Sequence, residues 1–262
     1  MNNREIEETR EIDETRDLWD RIADDWRVQV GATGDSNRIL NSDPVLWTFA
    51  GNVAGLTVLD AGCGTGYLSK QLRERGALVT GIDFSERMIA IARRQYPGIE
   101  FRVDSCSGLG TVHDAQFDLV IANYVLMDTP DLEGTMRAFH RVLRAGGLAV
   151  VVFCHPCFPQ GRATVASNGE EINYRWSSSY FDRTKCVDPP WAHFTSEFIW
   201  FHRPLSDYWK AFKASGFAVL DFDEPRITED RYHLAPNARK LNNSKMRPNS
   251  VAFKLQKSQP AK

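Results

Sequence analysis

Between residues 56 and 154 the chain alternates short β-branched runs with stretches whose apolar residues recur every three or four positions. LTVLDAG (56–62), ALVTGID (77–83), IEFRVDS (99–105), FDLVIANY (117–124) and LAVVVFC (148–154) read as strands. The segment GYLSKQLRERG (66–76) reads as a helix, with Leu68 and Leu72 one turn apart and Gly76 just past its end. Ser85 caps a predicted helix over 86–96 whose inner face is Met88, Ile89 and Ala92, and a further helix over 131–144 ends in Ala145-Gly146-Gly147. Near-continuous apolar strands separated by helices predict a doubly wound α/β architecture, its parallel sheet covered on both faces. The same pattern returns late in the chain, with a helix over 204–216 and strands over 217–225 and 250–257, which makes a mostly parallel sheet of seven strands.

Two regions stand outside that alternation. Residues 1–30 predict one helix, acidic at first and then amphipathic through Leu18, Trp19, Ile22, Ala23 and Trp26, broken by Gly31 and Gly34. A second helix over 41–51 starts at Ser42 or Asp43 with Pro44 in its first turn. Residues 155–203 show no clean period but hold ten aromatic side chains, about one residue in five. A structureless stretch of that length is out of place in a compact domain, so it reads as an insertion with its own fold, or a lid. The chain thus divides into an N-terminal cap (1–50), a binding core (51–154), the insertion (155–203) and the C-terminal part of the sheet (204–262).

Composition narrows the class. The 262 residues are 42% hydrophobic and 25% charged, as in an ordinary globular chain, and no apolar run reaches membrane-spanning length. The charged start lacks the apolar core of a secretory signal, which points to the cytoplasm. A formal charge of −2 gives no footprint for a nucleic-acid backbone, so nucleic acid is an unlikely partner. Five cysteines, an odd number, argue against a disulfide scaffold. Cys154 and Cys157 form a C-x-x-C pair with no second pair to complete a zinc site, so no metal is expected.

The chemistry concentrates in Val58-Leu59-Asp60-Ala61-Gly62-Cys63-Gly64-Thr65-Gly66, a strand entering a glycine-rich turn and then a helix. Glycines let a ligand approach the backbone, and the helix N-terminus offers free N–H groups. A dinucleotide site needs G-x-G-x-x-G, and the sixth position here is Tyr67. The segment instead resembles the first motif of class I S-adenosylmethionine-dependent methyltransferases, an acid ahead of G-x-G-x-G. That resemblance implies S-adenosyl-L-methionine as cofactor, held by Asp60, Gly62, Cys63, Gly64 and Gly66. It also implies Asp83 on the ribose hydroxyls, Asp104 with Ser105 and Cys106 at the adenine amino group, and Phe84 and Met88 along the adenine. Asn123 matches the position whose backbone borders the sulfonium. The stretches VLMDTPDL (125–132) and RVLRAGG (141–147) are similar to the family too, with Ala145 where it often has proline. Trp26 followed by Arg38 resembles glycine N-methyltransferase-like enzymes, in which an arginine pairs with the methionine carboxylate; a core tryptophan and a solvated arginine are the plainer alternative.

As a whole the chain resembles the small-molecule, ubiquinone-methyltransferase-like group. This implies methyl transfer by direct displacement to an O, N, S or C nucleophile of a small molecule. A protein or tRNA methyltransferase is the alternative. Such a reaction needs alignment, exclusion of water and a proton acceptor. His155 directly follows the fifth strand and is the candidate base, with His202 and His193 behind it. Tyr124 is a candidate for orienting the acceptor. Asp188-Pro189-Pro190-Trp191 matches a signature of amino-methyltransferases but falls after the fifth strand instead of the fourth, so it reads as a turn.

Overall fold

The computed structural model describes residues 3–258. Its centre is a seven-stranded sheet built from β1 (Thr57–Ala61), β2 (Leu78–Asp83), β3 (Glu100–Val103), β4 (Phe117–Asn123), β5 (Leu143–Cys154), β10 (Phe217–Asp223) and β11 (Ser250–Lys257). Across the sheet the order is β10-β11-β5-β4-β1-β2-β3, and only β11 runs against its neighbours. The strand order reverses at β1, with β2 and β3 added on one side and β4 and β5 on the other, so the crevice at the carboxyl ends of β1 and β4 is where an open α/β sheet holds a ligand.

Alternation along the strands sets the two covering layers. Val58, Leu119 and Val150 face one side, against α2 (Asp43–Ala50) and α3 (Tyr67–Glu74). Leu59, Val120 and Val151 face the other, against α5 (Leu132–Val142) and α6 (Leu205–Ala214). The helix α4 (Glu86–Gln95) starts at Ser85, whose hydroxyl accepts the Met88 N–H as the sequence predicts.

Three differences from the sequence pattern have local causes. The predicted helix to 144 ends at Val142, and Ala145-Gly146-Gly147 lies within β5 as an irregularity. There Phe117 pairs with Leu143 but Leu119 with Leu148, and Gly146 takes a φ of 74°. The predicted helix over 41–51 opens as a π-helical turn over Arg38–Ser42, which carries Arg38 inward. Between 226 and 249, where no period is visible, a 3-10 turn (Glu229–Leu234) and α7 (Ala238–Met246) form, the latter capped by the Asn237 side chain.

The 155–203 insertion consists of two hairpins, β6 (Ala163–Val165) with β7 (Ile172–Tyr174), and β8 (Thr184–Asp188) with β9 (Phe198–His202). The first is tied to α7, as Arg239 donates to the carbonyls of Val165 and Ala166. The second packs on α1 (Asn3–Val30), where Leu18 and Ile22 meet Phe194, Ile199 and Phe201. One helix thus bridges the sheet domain and the insertion. Among the described residues no helix is long and apolar enough to cross a membrane.

Candidate functional site

The turn after β1 has the backbone geometry that only glycine takes without strain. Gly62 has φ 71°, and a β-carbon there would collide with the Val125 side chain; at Gly66 (φ 87°) it would meet Tyr96 at 2.9 Å. Glycine at these positions lets Val125 and Tyr96 pack directly on the turn, while Gly62 and Gly64 line a cleft on its other side. Above Gly64 stands the Trp26 indole, brought over from α1. The turn forms one end of a cleft of about 920 Å³, open solvent at its mouth included, that runs along the carboxyl ends of β1, β2 and β4.

Two buried acids line this cleft. Asp60 accepts a 2.5 Å hydrogen bond from the Ser69 hydroxyl, and burial, only partly offset by that bond, pushes its carboxyl up to about 7. Asp83 accepts the N–H of Gly64 on one oxygen and of Ser85 on the other, each at 2.9 Å. Burial raises it to about 6 against those two bonds. Each Asp83 oxygen retains a lone pair, so a diol in the cleft has a two-pronged acceptor.

Phe84, Met88, Ser105, Cys106, Asn123 and Cys63 also line the cleft. Asn123 donates weakly to Ser42, and its buried Oδ1 has no partner among the described residues. Asp104 does not join them. Its carboxylate accepts from the Ser105 N–H and from both the N–H and the hydroxyl of Thr111, which turns it away from the cleft. Of the three residues expected at the adenine, Ser105 and Cys106 line the cleft and Asp104 does not.

Arg38 is buried, not solvated. Its guanidinium bonds Asp35 at 2.7 Å and lies over the rings of Trp26 (5.2 Å) and Tyr124 (5.5 Å). It is also near enough to Asp60 to lower that carboxyl slightly. A ligand with an ammonium and a carboxylate at one end meets Asp60 and Arg38 together. Glycine backbone, diol acceptor, orphaned amide oxygen and this charge pair fit S-adenosylmethionine group by group.

A second cavity, of about 1140 Å³ with its mouth, opens beside the first. Its walls come from β9 and the loop before it (Trp191, Phe198, Trp200, Phe201), with Trp19 and Trp26 of α1 opposite. Trp19, Trp26, Arg38, Tyr124 and Asp128 line both spaces, so the two meet there. Asp188 and Trp191 of the D-P-P-W segment also reach the second cavity, where Asp188 ends β8 and accepts the Trp200 indole N–H at 3.0 Å. That segment is part of a pocket wall as well as a chain turn.

The candidate acid–base groups fare differently. His155 lines the second cavity, but its Nδ1 accepts the Cys157 N–H and its Nε2 lies 2.7 Å from Glu224 Oε1. With Nδ1 accepting, Nε2 carries the proton and donates it, and neither nitrogen keeps a lone pair for an acceptor's proton. Burial also lowers its pKa. The base role read from the sequence does not follow from this geometry, and Glu224, which holds the ring, was not visible as its partner. His202 donates through Nε2 to the Tyr180 carbonyl, leaving a buried Nδ1 with no partner among the described residues. Burial lowers its pKa as well. His193 bonds the Asp25 carbonyl on the surface and lines neither space. Tyr124, in a left-handed conformation at φ 59°, lies against both spaces, but its hydroxyl is bonded to Ser250 Oγ at 2.7 Å. Cys154 and Cys157 are free thiols.

Residues 59–151 match the model of a family described as methyltransferase domain. Over 99 residues the chain is 38% identical to a ubiquinone biosynthesis O-methyltransferase of Pseudomonas paraeruginosa, covering 36% of this chain and 43% of that protein. Over 104 residues it is 38% identical to a demethylmenaquinone methyltransferase of Chlorobaculum tepidum, covering 39% and 42%. These likenesses thus span less than half of each relative. Among solved structures, an S-adenosylmethionine dependent methyltransferase from Mesorhizobium loti superposes with a TM-score of 0.67 at 24% identity, over 81% of this chain and 96% of that one. Magnesium protoporphyrin IX methyltransferase from Synechocystis, solved with bound S-adenosylmethionine, gives 0.59 at 18% identity over 95% and 97%. The chain has the class I S-adenosylmethionine-dependent methyltransferase fold, with a methyltransferase-domain match over residues 59–151.

Proposed function

We propose that the protein is an S-adenosylmethionine-dependent methyltransferase that moves a methyl group to an O, N, S or C nucleophile of a small molecule. The observation that carries this is the junction of the two spaces, a glycine-and-acid cleft suited to the cofactor opening directly into an aromatic cavity. When bound, the cofactor supplies a methyl group on a sulfonium sulfur, already activated for displacement. Asp83 holds the ribose, Asp60 and Arg38 hold the amino-acid end, and Ser105 and Cys106 border the adenine. Trp19 and Trp26 close the junction from above and exclude water, so the nucleophile meets the methyl group in a dry site. Tyr124 serves as a wall with its hydroxyl turned aside, and the free Nδ1 of His202 is a hydrogen-bond acceptor for the far part of the acceptor. Four functional segments, 1–50, 51–154, 155–203 and 204–262, share this work, and the cytoplasm is the proposed compartment.

The relatives named for quinone biosynthesis support a small metabolite over a macromolecule, as does the near-neutral net charge of −2. The test is incubation of the protein and S-adenosylmethionine with a metabolite extract. Formation of S-adenosylhomocysteine with a matching metabolite gain of one methylene is expected. Methyl label appearing only in bulk tRNA or protein would move the assignment to a macromolecular substrate.

A further inference from the structure

Asp128 lies in the loop after β4, in Val125-Leu126-Met127-Asp128-Thr129-Pro130. It is the one carboxylate among the described residues that lines both spaces; Asp60 and Asp83 face only the cleft, Asp35 and Asp188 only the second cavity. Asp35 is paired with Arg38, and Asp188 is bonded to Trp200. The Asp128 side chain has neither a hydrogen bond nor an ion pair with any described residue, although its own N–H is bonded to the Val125 carbonyl. Burial drives its carboxyl well above the usual range, opposed by the nearby charge of Arg203.

Its loop is not free to move it elsewhere. The Phe201 N–H donates to the Met127 carbonyl at 2.7 Å. Arg203 donates to the carbonyls of Leu126 (3.4 Å), Thr129 (2.6 Å) and Pro130 (2.7 Å), which commits its guanidinium to the backbone. A desolvated carboxylate held without a partner is costly, and a ligand that brings it a donor or a cation removes that cost. Aromatic faces at the same junction favour a cation as well. Trp19 meets Phe198 edge-on at 6.4 Å, and Arg38 already lies over Trp26 and Tyr124. Both arginines lining the second cavity are committed, so an anionic nucleophile would find Asp128 and no free counter-charge.

We propose that Asp128 binds the methyl acceptor through a protonated amine on an aromatic-bodied small molecule, and that it takes the proton from that nitrogen. This inference rests on the methyltransferase reading above. In the step, one N–H proton passes to the carboxylate and frees the nitrogen lone pair. A nitrogen–carbon bond forms to the methyl group as the sulfur–carbon bond breaks, and its electron pair stays on sulfur as a neutral thioether. The product is the methylated ammonium, and the proton on Asp128 leaves to water when the product departs.

The experiment is calorimetry of wild type and Asp128→Asn, both loaded with S-adenosylhomocysteine, titrated at pH 7 with phenethylamine and tryptamine and with their alcohols, 2-phenylethanol and tryptophol. The amines should bind the wild type at least tenfold tighter than the alcohols, and the variant should lose that preference. N-methylated amine should appear by mass when wild type is given S-adenosylmethionine. Equal affinity for alcohols and amines, unchanged amine affinity in the variant, or no amine binding at all would overturn the inference. So would a variant that weakens only S-adenosylmethionine relative to S-adenosylhomocysteine, since the charge would then serve the sulfonium. Failure of S-adenosylhomocysteine to bind the wild type is a different result, and it overturns the cofactor reading on which this one stands.

Discussion

Asp60→Asn removes a charge from the core while keeping the shape and a partner for Ser69. In the folded protein the Asp60 carboxyl sits at about 7, against 3.8 for the free group, chiefly because burial disfavours the charged form. The folded state therefore binds the proton more tightly than the unfolded chain. Its stability falls as pH rises from about 4 to about 7, and above that window the whole cost is present. A rise of that size is worth about 4 kcal/mol, of which about 3 falls between pH 5 and pH 8. The variant carries no such titration. Urea unfolding of the ligand-free proteins at several pH values should show the stability of Asp60→Asn rising relative to wild type by about 3 kcal/mol across that range. Other titrating groups, Asp83 included, act in both proteins and largely cancel. Parallel pH curves for the two proteins would refute the claim that Asp60 is a desolvated acid waiting for a cationic ligand group.

Asp83→Ala should weaken S-adenosylhomocysteine at least tenfold by calorimetry, because each bond to an ionised acceptor is worth about 1.5–3 kcal/mol. In wild type the same affinity should fall as pH drops below about 6, where Asp83 takes up a proton and loses part of its acceptor capacity. Gly62→Ala places a β-carbon into Val125 at a φ of 71° and should lower stability by about 1–3 kcal/mol, read from thermal unfolding. Deleting residues 1–30 should abolish turnover and weaken the cofactor while far-UV circular dichroism still reports the sheet. Retained full-length activity would show that α1 is dispensable.

The strands β1, β2, β4, β5 and β11 were legible in the sequence because burial writes near-continuous apolar runs, whereas the edge strands β3 and β10, largely exposed, were legible from their alternation with helices. The cofactor turn was legible for a different reason. The left-handed conformations at Gly62, Gly64 and Gly66 admit few other residues, so backbone geometry shows through as composition. Asp104 shows where this stops. A carboxylate after a strand is a possible ligand contact, but whether it faces the cleft depends on Thr111, seven residues on, whose hydroxyl and N–H claim it. Likewise α7 is polar almost throughout and gains its place through bonds from Arg239 and Asn242 to the insertion, which leave no period to read. Asp128 lay within a stretch similar to the family, and its isolation becomes visible only once Arg203 is seen to hold the surrounding carbonyls.

The two spaces share walls because α1 touches both halves of the molecule. On one side Asp20 accepts the Ser85 hydroxyl at 2.5 Å and the Arg87 N–H, at the start of the helix that follows Asp83. On the other, Asp25 accepts from Thr195 and Glu14 pairs with Lys185, both in the insertion. Between these anchors Trp19 and Trp26, edge to face at 5.1 Å, stand over the junction. The anchors toward the insertion are exposed ion pairs and hydrogen bonds, each contributing little; the cohesion comes from Leu18 and Ile22 on Phe194, Ile199 and Phe201. A ligand filling the cleft adds contacts to one face of Trp26 and so favours the same α1 position that the acceptor cavity requires. Cofactor and acceptor should therefore each tighten the other's binding, and by linkage the two gains must be equal. Calorimetry of each ligand in the presence of the other checks that equality, and independent binding would mean that the shared tryptophans separate the two spaces without coupling them.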